Sequence, residues 1–112
     1  MLIKSIPKTL EIYQNTNGKE PIIEWLESIK DITTKARIKN RLRRMELGIL
    51  GDYKNISSGL FELRLKFGSG YRVYFGEIDN KIILLLCGGD KSSQTKDIKK
   101  AKEYWQEYKN NN

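Results

Sequence analysis

Leu60-Phe61-Glu62-Leu63-Arg64-Leu65-Lys66-Phe67, then Gly68-Ser69-Gly70, then Tyr71-Arg72-Val73-Tyr74-Phe75, is the stretch that decides the fold. Apolar residues alternate with charged ones at a period of two, which predicts a half-buried strand. Glycines flank a serine at the break, where positive φ is tolerated, and a second alternating strand follows. With a three-residue loop, Phe67 pairs with Tyr71, Lys66 with Arg72, and Arg64 with Tyr74. Odd-numbered residues then face the core, and Arg64, Lys66, Arg72 and Tyr74 share the open face.

Downstream, Asp79-Asn80 reads as a two-residue turn with Ile78 opposite Lys81, and Ile82 to Leu86 forms a third strand, buried on both faces. In that register Ile82, Leu84 and Leu86 share the face of Phe61, Val73 and Phe75, while Leu85 and Cys87 lie beside Tyr74 and Arg72. Thr95 is positioned to cap a last helix with Asp97 in its first turn, and Ile98, Ala101, Trp105 and Tyr108 form its apolar stripe.

Upstream, the segment from Met1 to Tyr13 predicts one short early strand through Leu10 and Ile12, ended by the turn-forming residues Asn15 to Gly18. Pro21 suits the first position of a helix, and Ile22, Leu26 and Ile29 carry it to about Lys30. A second helix spans Thr33 to Gly48, with Ile38, Leu42, Met45 and Ile49 as its stripe. Lys35, Arg37, Lys39, Arg41, Arg43 and Arg44 cover the remainder, either as a solvated face or as a phosphate or partner contact. The order gives an α+β domain with helices on one face of a mostly antiparallel sheet: an early strand, two N-terminal helices, a three-stranded meander and a C-terminal helix.

The chain has 112 residues, which fits one domain over 1–112. One cysteine, Cys87, and no histidine exclude an internal disulfide, a zinc site of the usual ligands and any triad with a histidine base. Cys87 therefore reads as a small buried hydrophobe. Lys and Arg number 21 against 14 Asp and Glu, a net +7, so a polyanionic partner is expected. The longest apolar run, Ile82 to Cys87, is far too short for a membrane span, and a cytoplasmic protein without membrane contact is expected.

The basic ladder on the open face, with Lys91 arriving at the end of the third strand, admits two explanations. Glu62, Glu77 and Asp90 neutralise it, or it is a site for a multiply charged anion. An RNA backbone suits the second. Attack by RNA's own 2′-hydroxyl needs a base, cations around the five-coordinate phosphate and an acid for the departing 5′ oxygen, and no metal or other cofactor. Arginine offers forked contacts to phosphate and lysine a proton once its pKa is depressed, while Tyr74 offers a stacking ring or a proton, or is simply a packed strand aromatic.

Gly59-Leu60-Phe61-Glu62-Leu63-Arg64, Gly70-Tyr71-Arg72-Val73-Tyr74, and Leu84 to Lys91 followed by Gln94, Asp97, Ile98 and Ala101 resemble, in order and spacing, the RelE/ParE toxin superfamily. Within it they are similar to the HigB-like addiction-module killer proteins. The resemblance covers nearly the whole chain. It implies a RelE-like, microbial RNase-like fold and a type II toxin. Such a toxin is neutralised by a protein antitoxin, here expected to carry a helix-turn-helix domain, with higher-order toxin–antitoxin complexes.

In many members of the superfamily the activity is cleavage of mRNA on the ribosome. On that likeness Arg64 contacts the scissile phosphate, Arg72 stabilises the phosphorane and Lys91 is the general acid; Tyr74 joins the expected catalytic set from its place on the basic face. Lys54, Lys66 and Gln94 are expected RNA contacts. Glu62 stands where RelE has a lysine, and the C-terminal tyrosine of RelE has no clear counterpart, so the base is unassigned. The alternatives are a ParE-type toxin that inhibits DNA gyrase without catalysis, and an inactive member that only binds its antitoxin.

Overall fold

The computed structural model describes residues 6–112; the part of the expected early strand that falls on 1–5 lies outside them. Nine elements follow in order: β1 (Thr9–Ile12), α1 (Pro21–Ser28), α2 (Ile32–Glu46), β2 (Tyr53–Ser57), β3 (Leu60–Leu65), β4 (Tyr71–Ile78), β5 (Ile82–Gly89), a 3-10 turn (Lys91–Ser93) and α3 (Gln94–Asn110). The five strands form one mixed sheet in the order β1-β5-β4-β3-β2, with β1 parallel to β5 and every other pair antiparallel.

The architecture is α+β, as the sequence predicts, with three corrections. The sheet has a fifth strand, β2. It is an edge strand whose first three residues are exposed, so it carries no core-facing alternation to betray it. The helices also do not share one face. Ile22 and Leu26 of α1 and Ile38, Leu42 and Met45 of α2 pack on Leu63, Leu65, Val73, Phe75, Ile83 and Leu85. Ala101 and Trp105 of α3 pack on the opposite face, against Leu60, Tyr74, Leu84, Leu86 and Cys87. Ile49 falls beyond the end of α2 and takes no part in its buried stripe.

Register is the third correction. The β3–β4 connection runs from Lys66 to Gly70, with the Phe67 amide bonded back to Leu65 and the Gly70 amide to Phe67. Gly68 and Gly70 adopt φ of 59° and 77° there, a conformation that costs glycine nothing. Leu65 therefore pairs with Tyr71, Arg64 with Arg72, and Glu62 with Tyr74. A slip of two residues preserves the faces but removes Lys66 from the ladder.

The β4–β5 turn does fall at Asp79-Asn80, both at positive φ, but Ile78 pairs with Ile82 rather than Lys81. That slip of one moves Leu85 under α1 and α2, and Leu84 and Leu86 under α3. A bulge opposite Tyr74/Phe75 then returns Cys87 to the expected face, but opposite Tyr74 rather than Arg72, which pairs with Gly89. The C-terminal helix is led in by Asp90, whose side chain accepts from the Ser92 amide in a capping box with Ser93, so Thr95 lies inside the first turn and is not the cap.

Candidate anion-binding site

Even-numbered positions of β3 and β4 point to the α3 side, and this brings Glu62, Arg64, Arg72 and Tyr74 together. Glu62 lies at their centre and is 1% exposed. Its Oε1 accepts from Arg64 Nε at 3.1 Å, and its Oε2 accepts from Tyr74 OH at 3.0 Å and from Gln94 Nε2 at 2.9 Å. Arg72 Nε stands 3.6 Å from the same Oε2 as an ion pair without a hydrogen bond, while Arg72 Nη1 donates to the Gly70 carbonyl at 2.9 Å. A carboxylate buried without partners is costly, so this convergence is what allows Glu62 to stay charged.

The electrostatics follow. Burial alone pushes the Glu62 carboxyl up, but hydrogen bonds from Gln94, Arg64 and Tyr74 and the charge of Arg72 outweigh it and hold the group below its ordinary value. Tyr74 shifts the other way: burial, then the Glu62 charge, raises its phenol well above the usual range, so it remains a donor. Two guanidinium groups around one carboxylate leave one positive charge over. Arg64 carries it outward. Its side chain is 36% exposed against 15% for Arg72.

Of the residues expected to act together, Arg64, Arg72, Tyr74 and Gln94 do meet. Lys91 borders the group: it is exposed on the 3-10 turn, and its Cβ and the Arg72 Nη1 flank Gly70. Lys54 is exposed on β2 directly opposite Glu62. Lys66 is the correction. It lies in the β3–β4 loop, 81% exposed, pairs with Asp52 at 3.5 Å and lines a groove on the α2 side with Arg37 and Arg41. The open basic face expected from alternation is mostly covered by α3, and the Tyr74 ring, fully buried, offers no surface for a base to stack on.

Among the three acids expected to neutralise the ladder, Glu62 alone joins it. Glu77 stands 3.9 Å from Lys8, and Asp90 is occupied with Ser92 and Ser69. Glu62 as the hub was not singled out from sequence, although its i, i+2 relation to Arg64 on an alternating strand placed both on one face. Cys87 is buried as expected. Burial first, then the charge of Asp97, pushes its thiol up to about 12, against a smaller lowering by Lys100, so it is no nucleophile at neutral pH. Among the described residues no three His, Cys, Asp or Glu side chains gather as a metal site, and no helix is long and apolar enough to cross a membrane.

An α+β protein with a fixed pair of arginines on an internal carboxylate is the class this geometry defines. A protein of Haemophilus influenzae described as uncharacterized is 48% identical over 83 residues, covering 74% of this chain and 84% of that one. The chain belongs to the same family as that protein. No family model matches it.

Proposed function

We propose that this chain is the toxin of a type II toxin–antitoxin pair, with a RelE-like, microbial RNase-like fold, and that it cleaves mRNA on the ribosome. The observation that carries this reading is the cross-strand pair Arg64 and Arg72, converging on one buried anion, Glu62. The sequence resemblance to HigB-like toxins supports it independently.

In this mechanism Arg64 meets the scissile phosphate with its exposed outer edge, and Arg72 stabilises the charge that grows on the phosphorane. Lys91, at the mouth of the group, gives a proton to the departing 5′ oxygen. Glu62, saturated with donors and held below its ordinary pKa, orients the arginines. Tyr74, held protonated, orients Glu62. Neither accepts the 2′-hydroxyl proton, which passes to solvent water as the 2′ oxygen bonds to phosphorus and the bond from phosphorus to the 5′ oxygen breaks. No cofactor or metal enters the chemistry. The partners are the ribosome and mRNA in the cytoplasm and a cognate antitoxin with a helix-turn-helix domain, in a complex that assembles further.

One observation favours the alternatives. Glu62 neutralises one of the two arginines, as it would in a gyrase-binding toxin of the ParE type or in an inactive member that only binds its antitoxin. Expression without antitoxin decides between them. The nuclease reading expects growth arrest with cut messages by primer extension. Arrest with intact messages and gyrase-linked DNA breaks gives the ParE reading, and no arrest gives the inactive one.

A further inference from the structure

Five of the chain's seven net positive charges sit on α2, which carries six cations against the single carboxylate Glu46. Its buried residues, Ile38, Leu42 and Met45, fix the orientation of the rest. Lys35, Lys39 and Arg43 follow one flank of that stripe at four-residue steps, about 6 Å apart along the axis, and Arg37, Arg41 and Arg44 follow the other. Between the two rows, on the crown away from the core, lie Thr33, Ala36 and Asn40, all exposed.

Among the described residues none of the six cations has a carboxylate oxygen within 4.0 Å. Arg37 stacks on Phe67 with its guanidinium carbon 3.9 Å from the ring centroid, and Arg41 donates to the Leu50 carbonyl at 3.2 Å. Arg37, Asn40, Arg41, Lys66 and Phe67 line a groove of about 330 Å³ on this side. Burial, then the neighbouring Arg44 charge, pulls Arg41 below its ordinary value despite the opposing charge of Asp52.

We propose that α2 is a second nucleic-acid surface, on the opposite side of the sheet from Glu62, which lies across the minor groove of double-helical RNA with its two cationic rows on the two phosphate backbones. The crown selects the partner. Thr33, Ala36 and Asn40 are too short to read bases in the deep major groove of DNA, where a recognition helix carries long side chains. They suit the wide, shallow minor groove of an RNA helix, which is recognised by shape and phosphate contacts. An acidic protein segment would satisfy the charge but has no regular double row for the two flanks to match. This inference does not depend on cleavage at the Glu62 face.

The test uses the full chain and a synthetic RNA duplex of about 16 to 20 base pairs, with binding measured over a range of salt. The variants are Lys39→Gln with Arg43→Gln on one row and Arg37→Gln with Arg44→Gln on the other; these positions are exposed, and thermal melting shows that each variant is folded. Each pair should weaken duplex binding at least about tenfold and reduce the salt slope by about one for each phosphate contact removed. Unchanged affinity and slope in both pairs would overturn the proposal. So would tighter binding to single-stranded RNA, to a DNA duplex of the same sequence, or to polyglutamate at equal charge, the last assigning the surface to an acidic protein. Failure here with intact message cleavage removes α2 alone, whereas duplex binding without cleavage removes only the nuclease reading.

Discussion

Replacing Glu62 with alanine leaves Arg72, mostly covered, with no counter-charge, and removing one partner of a buried ion pair costs about 3 to 5 kcal/mol. Urea denaturation should show a loss of that size for Glu62→Ala. The same carboxylate ties stability to pH. Its folded-state pKa lies below the value of 4.5 it has when unfolded, so the stabilisation is complete above pH 4.5 and disappears as pH falls through the folded value. Melting temperatures of the wild type should therefore fall towards acid more steeply than those of Glu62→Gln, which has no such group to titrate. Parallel curves would mean that Glu62 is not held charged by its neighbours. At Cys87, burial and a thiol pushed up to about 12 predict slow alkylation in the native protein and rapid alkylation in urea. Fast native labelling would contradict the packing of α3 over β5.

At the scale of elements, α3 is held to the sheet by a close approach that only glycine permits. A Cβ at Gly76 would clash with the Trp105 ring, and Trp105 Nε1 donates to the Ser58 carbonyl at 2.9 Å. Gly76→Ala should lower stability by about 1 to 3 kcal/mol through overpacking, and Trp105→Ala by about 3 to 5 kcal/mol through the cavity it leaves. Equal melting of Gly76→Ala and the parent would show that α3 is docked differently. The alternating stretch through Phe61 and Phe75 made β3, β4 and their shared faces legible, because period two survives a two-residue error in loop length. The Ile82 to Cys87 run did not reveal its register. Every residue in it is apolar, so neither face is marked by charge, and the one-residue slip and the bulge leave no trace in the pattern. The helix on the second face was hidden for a related reason: a strand buried on both sides states that two layers cover it without stating which elements they are. Within the site, Arg64, Arg72 and Tyr74 were legible from alternation, whereas the contact from Gln94 to Glu62 joins residues 32 apart in sequence through the docking of α3.

For the whole molecule, the charge falls into two regions. One sheet face ends in an arginine pair disciplined by a carboxylate, and the helix on the other face carries most of the net charge. If the proposed cleavage takes place at the first, it depends on a fixed cation at the reacting phosphate, where removing one such group costs on the order of 100-fold to 1000-fold in rate. Alternation alone places Arg72 on open surface, where truncation is cheap; its side chain is instead 15% exposed and paired with Glu62, so Arg72→Ala is expected to melt lower than the parent. Arg72→Lys keeps the charge and loses the fork, which separates folding from chemistry. The central claim is tested most directly by single-turnover cleavage of ribosome-bound mRNA by the parent, Arg72→Ala and Arg72→Lys, at a temperature where thermal melting shows all three folded. The account predicts cleavage by the parent, a loss of about 100-fold or more for Arg72→Ala, and a loss for Arg72→Lys with ribosome binding little changed. Folded variants that cleave at the parental rate, or a folded parent that does not cleave at all, would contradict it.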